Sequence, residues 1–246
     1  MTRVALVTGA SKGLGAAIAA ALAKSGWIVA INYAHDDGAA HRTLMAILAD
    51  GGSAHLAKFD VTKPEEVSAG VERVREEAGP IDLIVNNATG PQSPAPIMEQ
   101  TWSLYAHHLD FFVKAPLLLL QAVLPDWRRR RAGRVINIGS DVIDVGSAFD
   151  AHYVAAKSAQ LGLTRSWASE LGPEGITVNL VSPGWTPVER HEDTDPSELQ
   201  RHLARVPLGR MGDPTDVADL VAFVASDRAN YITGQNLAVN GGRSYR

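Results

Sequence analysis

The chain contains no cysteine. Disulfides, thiolate nucleophiles and cysteine-ligated metal centres are therefore excluded. Its eight histidines show no His-Glu-x-x-His or comparable ligand spacing, so no metal site is expected. Charge of one sign is scarce: the net value is −4, with both signs mixed along the chain. Neither a nucleic-acid partner nor an anionic membrane is suggested. The one charge run, Arg128 to Arg131, has no interleaved aromatics or basic groove signal. Four cations just before Gly133 instead complement the C-terminal end of a helix dipole. Long apolar runs are also missing. Ala115 to Leu124 is interrupted by Gln121, is too short to span a bilayer, and reads as a buried helix. The first residues enter a strand at once, so no signal peptide is expected. For 246 residues, one cytoplasmic domain spanning 1–246 is the expectation.

What is present is alternation. Strand-like segments fall near 3–7, 27–33, 53–59, 81–86, 134–139, 176–182 and 235–239, with helical segments between them. That order predicts an α/β fold with a doubly wound, seven-stranded parallel sheet covered on both faces. No linker, repeat or low-complexity stretch marks a second domain. The most polar interval runs from Glu189 to Arg205, with Asp195-Pro196 as a helix start.

The first strand runs directly into Thr8-Gly9-Ala10-Ser11-Lys12-Gly13-Leu14-Gly15, and an alanine-rich helix follows. Strand, glycine turn, helix is the context of a dinucleotide-binding fingerprint. Glycines let the backbone approach a pyrophosphate, and the helix N-terminus offers amide donors and partial positive charge. The loop lacks Gly-Lys-Ser/Thr and is not a P-loop. Further on, Tyr153 and Lys157 lie one helical turn apart, which puts phenol and ammonium on one face. A neighbouring cation favours the ionised phenol, so the tyrosine can exchange a proton with a carbonyl or an alcohol. Ser140 follows the apolar strand Val135 to Ile138, at the strand end where open α/β sheets bind ligands.

With these motifs in register, the chain resembles the short-chain dehydrogenases/reductases, and within them the 3-oxoacyl-acyl carrier protein reductases. The resemblance runs from Thr2 to about Gly242. It is carried by the glycine loop, Asp60-Val61, Asn86-Asn87-Ala88, Ser140, Tyr153-x-x-x-Lys157, Asn179 before Pro183-Gly184, and Tyr231 to Gln235. It implies a single-domain Rossmann fold and hydride transfer between a nicotinamide cofactor and a carbonyl or alcohol substrate, possible members being 3-oxoacyl-type ketones. Ser140, Tyr153 and Lys157 would be catalytic. Gly9, Ser11, Lys12, Gly13, Leu14, Gly15 and Tyr33 would bind the cofactor. So would Asp60 through the adenine amino group, Val61, Asn87, Ala88, Thr89, Pro183, Gly184 and Thr186, with Tyr153 also among the cofactor-binding residues and Lys157 also on the ribose. Asn86 would lie beside the ribose and brace neighbouring strands. By the residues alone Asp60 reads equally as a cap of the next helix. The resemblance also implies a substrate lid near 186–210 and a homotetramer. The helices from Trp102 to Arg128 and from His152 to Leu171 carry apolar residues enough for both a sheet face and an interface.

Cofactor choice turns on the end of the second strand. Tyr33 stands where NAD-binding relatives carry an acid for the ribose 2′-hydroxyl. Lys12 offers a cation and His35 another, or both are simply solvated. NADP is favoured over NAD. Two departures from the family pattern stand out. Thr89 replaces a glycine that passes close to the nicotinamide, with Gly90 next in line for part of that role. Phe112 replaces an asparagine that holds a water linking the lysine to solvent. Asp110 and His108 are the nearest polar substitutes, and on a regular helix neither has its register. Thr89, Gln92, Ile143, Asp144, Val145, Trp185 and Val188 would bound the substrate pocket. Trp185 would cover it or anchor the lid. The competing function is a cofactor-binding sensor or scaffold of the same fold with little turnover.

Overall fold

The computed structural model describes residues 3–188 and 195–245. Seven strands form one parallel sheet: β1 (Arg3–Val7), β2 (Trp27–Tyr33), β3 (Ser53–Lys58), β4 (Ile81–Asn86), β5 (Gly133–Ile138), β6 (Ile176–Pro183) and β7 (Asn236–Val239). Their order is β3-β2-β1-β4-β5-β6-β7. The helices are α1 (Gly13–Lys24), α2 (Asp37–Ala49), α3 (Pro64–Ala78), α4 (Trp102–Leu109), α5 (Ala115–Arg130), α6 (Val142–Val145), α7 (Ala151–Leu171), α8 (Pro196–Leu203) and α9 (Pro214–Ala225). The central strands are buried on both faces, which is why they read as continuous apolar runs rather than alternating ones. On one face Ile18, Leu22, Val217 and Val221 pack under α1 and α9. On the other, Val67, Val71, Leu119, Val123 and Trp167 pack under α3, α5 and α7. The strand order reverses between β1 and β4. The crevice outside the strand ends at that reversal is where this architecture admits ligands.

A five-residue π turn, Asp110–Lys114, joins α4 to α5. The result is a helical run of 29 residues, Trp102–Arg130, the one described helix long and apolar enough to cross a membrane by length and composition. The apolar run Ala115 to Leu124 was expected to be too short to span and to be a buried helix; it lies within this longer helix. The apolarity has a core explanation: Leu119, Leu120, Val123 and Trp127 lie against the sheet with at most 4% exposure. The arginine run at its end does more than meet the helix dipole. Arg128 pairs with Glu170 and Glu174, Arg129 with Asp126, and Arg130 with Asp82 and Asp126, while Arg131 donates to the Pro173 carbonyl. The expected lid begins and ends within the described residues, with α8 capped by Asp195; its segment 189–194 lies outside them.

Candidate active site

The glycine turn is fastened across the reversal point. Thr8 Oγ1 donates to the Val85 carbonyl at 3.2 Å and accepts from the amides of Asn87 and Ala88 at 2.9 Å each. Asn87 Nδ2 donates to the carbonyls of Thr8 (2.9 Å) and Gly9 (3.1 Å). Gly9 and Gly13 have φ of 61° and 57°, and a Cβ at Gly9 would strike Ala88 Cα. Only glycine suits both demands. Ser11, Lys12 and Leu14 complete the turn into α1. The Lys12 side chain does not cap α1, and no acid stands in the helix's first turn. The N-terminus of α1 stands at the glycine turn, and a helix N-terminus carries the amide donors and positive potential that a pyrophosphate requires.

The end of β2 differs from expectation. Tyr33 is buried and its hydroxyl donates to Asp37 at 2.9 Å. Burial, followed by the Asp37 carboxylate, pushes the phenol above its ordinary value. Lys12, expected to offer a free cation, lies 3.6 Å from Asp36, which also caps α2 through the Ala39 amide. The sequence reading missed Arg42. Its charge acts on Asp36, and it lines one cavity with Ser11, Lys12 and Gly13. An arginine one turn into α2 gives no local motif, so only folding brings it to the glycine turn. Asp60 is half-buried and accepts from Thr62 through both the amide (2.9 Å) and the hydroxyl (2.7 Å). It therefore caps its own turn, while α3 starts after Lys63. Burial works to raise its carboxyl, and the Thr62 donors outweigh that, holding it below the usual range. Val61 is buried beside it.

Of the three expected catalytic residues, Ser140 follows β5, and Tyr153 and Lys157 share the start of α7. Ser140 lies two residues beyond the end of β5, and its Oγ is 3.4 Å from the Val142 amide. Tyr153 lies in the first turn of α7 and Lys157 one turn on. Lys157 is buried, and its Nζ donates to the Ile138 carbonyl at 2.5 Å, tying α7 to the strand that carries Ser140. The ammonium stands 5.8 Å from the centroid of the Tyr153 ring. Behind them a polar network fixes the frame: Asn86 Nδ2 donates to Asn137 Oδ1 (2.8 Å), and Asn137 Nδ2 to Thr164 Oγ1 (2.9 Å). Asn86 thus braces β4 to β5 and α7.

The π turn changes what surrounds Tyr153. Its extra residue re-aims the side chains before it relative to those after it. His108, judged out of register on a regular helix, therefore meets Tyr153 edge-on at 5.6 Å between centroids. His108 also stacks on His152 (4.9 Å, 11°) and on Phe112 (5.8 Å, 5°). Both histidines are at most 1% exposed. Burial, then the charges of His152, His107 and Lys157, pushes His108 down to about 4. Nothing local in the sequence marks this pair, because 44 residues separate its members.

Pro183, at the end of β6, and Thr186 are buried, and Gly184 between them has no room for a side chain beside Asn240. Thr89 is exposed and its hydroxyl donates to the Gly90 carbonyl at 3.2 Å. Gly90 is glycine for a local packing reason: the His107 and Phe111 rings press where a Cβ would stand. Of the expected pocket residues, Ile143, Asp144 and Val145 form α6 beside Ser140, and Trp185 meets His202 of α8 edge-on at 5.1 Å. The C-terminal segment, absent from the sequence reading of the site, reaches in as well. Arg243 pairs with buried Asp141 at 2.9 Å, and Ser244 donates to Asp144 at 3.2 Å.

A parallel sheet with a glycine turn at its reversal point, a serine after β5, and a tyrosine and lysine one turn apart on α7 defines a nucleotide-dependent oxidoreductase class. The family model described as enoyl-(acyl carrier protein) reductase matches residues 9–244, and the chain belongs to the short-chain dehydrogenase/reductase family. It is 40% identical to a 3-oxoacyl-(acyl-carrier-protein) reductase of Staphylococcus aureus over 98% of each chain. It is 37% identical over the whole of both chains to an acetoacetyl-CoA reductase of Shinella zoogloeoides. Among solved structures it resembles a blue fluorescent protein from a metagenomic library, in complex with NADPH. The TM-score is 0.89 and the identity 36%, covering 99% of this chain and 98% of the other.

Proposed function

We propose that the protein is a cytoplasmic, NADP-dependent carbonyl reductase, acting on a small ketone of the 3-oxoacyl type and running in reverse as an alcohol dehydrogenase. The observation that carries this reading is the Lys157 ammonium, which stands 5.8 Å from the centroid of the Tyr153 ring and donates to the Ile138 carbonyl two residues before Ser140. The α1 terminus and the tight glycines suit the pyrophosphate, and Asp60, Val61, Asn87, Ala88, Thr89, Pro183, Gly184 and Thr186 would bind the remainder of the cofactor. When bound, the nicotinamide supplies the hydride that reaches the carbonyl carbon. Ser140 holds the carbonyl oxygen by a hydrogen bond. Tyr153 gives that oxygen its phenolic proton, and the Lys157 ammonium stabilises the phenolate left behind. Lys157 also offers donors to the ribose. The cations Lys12 and Arg42 near the end of β2 favour a 2′-phosphate, with Asp36 moderating them. The names of the reductase relatives support the 3-oxoacyl class.

The test is a panel of 3-oxoacyl thioesters and simple ketones with NADPH and NADH, followed at the reduced-nicotinamide absorbance. Saturable turnover of a 3-oxoacyl compound with NADPH is expected. Cofactor binding without turnover of any member would favour the sensor or scaffold reading instead.

A further inference from the structure

Phe112 sits in the π turn with 1% exposure. The face of its ring meets the Lys157 ammonium, 3.7 Å from Nζ to the centroid. The same ring packs edge-to-face on Tyr153 (5.7 Å, 76°) and parallel to His108. An aromatic face carries negative quadrupole charge, and its attraction for an ammonium strengthens where water is excluded. Lys157 is 5% exposed, so the condition is met. The geometry is set by tertiary structure: the π turn carries the ring, α7 brings the lysine, and the Ile138 carbonyl also accepts from the ammonium.

We propose that Phe112 is a positioning residue for the proton chemistry, its ring face holding the buried Lys157 ammonium beside Tyr153 by a cation–π interaction. This rests on the reading of Lys157 as the partner of Tyr153. If Phe112 only filled space, the electronic character of its ring would be irrelevant. If it holds the cation, weakening the quadrupole at constant shape weakens the grip.

The experiment incorporates mono-, di- and trifluorophenylalanine at position 112 only. Each is close to isosteric with phenylalanine, and each step of fluorination depletes the ring face. The first readout needs no cofactor: titration of ε-13C-lysine signals by NMR, in a chain with only six lysines, the Lys157 signal being assigned through Lys157→Met. The Lys157 midpoint is expected to fall stepwise, by on the order of one pH unit at the trifluoro ring. Phe112→Leu, which keeps bulk without a π face, is expected to match the most fluorinated ring. The second readout is the pH profile of turnover on an accepted ketone, which should shift across the same series. Unchanged Lys157 midpoints across folded variants overturn the proposal. A stepwise midpoint shift in a protein that reduces no carbonyl compound would keep it and sink the functional reading.

Discussion

Replacing His108 by phenylalanine should make the protein less sensitive to acid. The imidazole is 1% exposed. It is held neutral by burial, then by the charges of His152, His107 and Lys157, with Asp150 opposing them, so that it takes a proton only near pH 4. In the unfolded chain it takes one near 6.5. The folded value is therefore depressed, and the unfolded state binds the proton first as pH falls. Stability is fully present above about pH 6.5 and is lost progressively down to about pH 4, below which the loss levels off. The difference amounts to about 2 kcal/mol at pH 5 and about 3 kcal/mol at pH 4. The substituted side chain would keep a ring against Phe112 and His152 and carry no proton. Urea unfolding of both proteins between about pH 8 and pH 4 isolates this effect, because the carboxylates titrate alike in both and cancel in the difference. The wild type should lose about 2 kcal/mol more than His108→Phe on reaching pH 5, or about 4–8 °C in melting temperature for a chain of this size. Parallel curves would refute the assignment of a buried, neutral His108.

Tyr153→Phe should lower turnover by about 10²-fold or more while cofactor affinity, measured by fluorescence titration, stays near the wild-type value; retained activity would remove Tyr153 as the proton donor. NADPH should bind more tightly than NADH, and Lys12→Ala and Arg42→Ala should each narrow the gap; equal wild-type affinities would refute the 2′-phosphate reading. Light scattering at micromolar concentration should show a homotetramer. The exposed face of α7 carries Ala155, Ser158, Gly162, Arg165 and Ser169, and exposed Trp102 and Leu117 lie on α4 and α5, leaving apolar surface for an interface. A monomer would contradict it.

The parallel sheet was legible in the sequence because buried strands between helices leave continuous apolar runs of the right length. Gly9, Gly13 and Gly15 were legible because a tight turn excludes side chains, and Tyr153 with Lys157 because one helical turn sets their common face. These are local constraints, and the chain order carries them. The surroundings of the lysine were not. Phe112 read as the loss of a polar group, since side-chain chemistry alone says nothing of ring orientation. His108 was considered only as a substitute for the water-holding asparagine, and the sequence carried no strong signal for the π turn that follows it or for its ring contact with Tyr153. Lys12 looked like a free cation until α2 brought Asp36 beside it. Arg243 and Asp141, 102 residues apart, meet only because β7 places the C-terminal segment against the end of β5. Backbone register and long-range packing decided these contacts, and through them which groups share the interior with Tyr153.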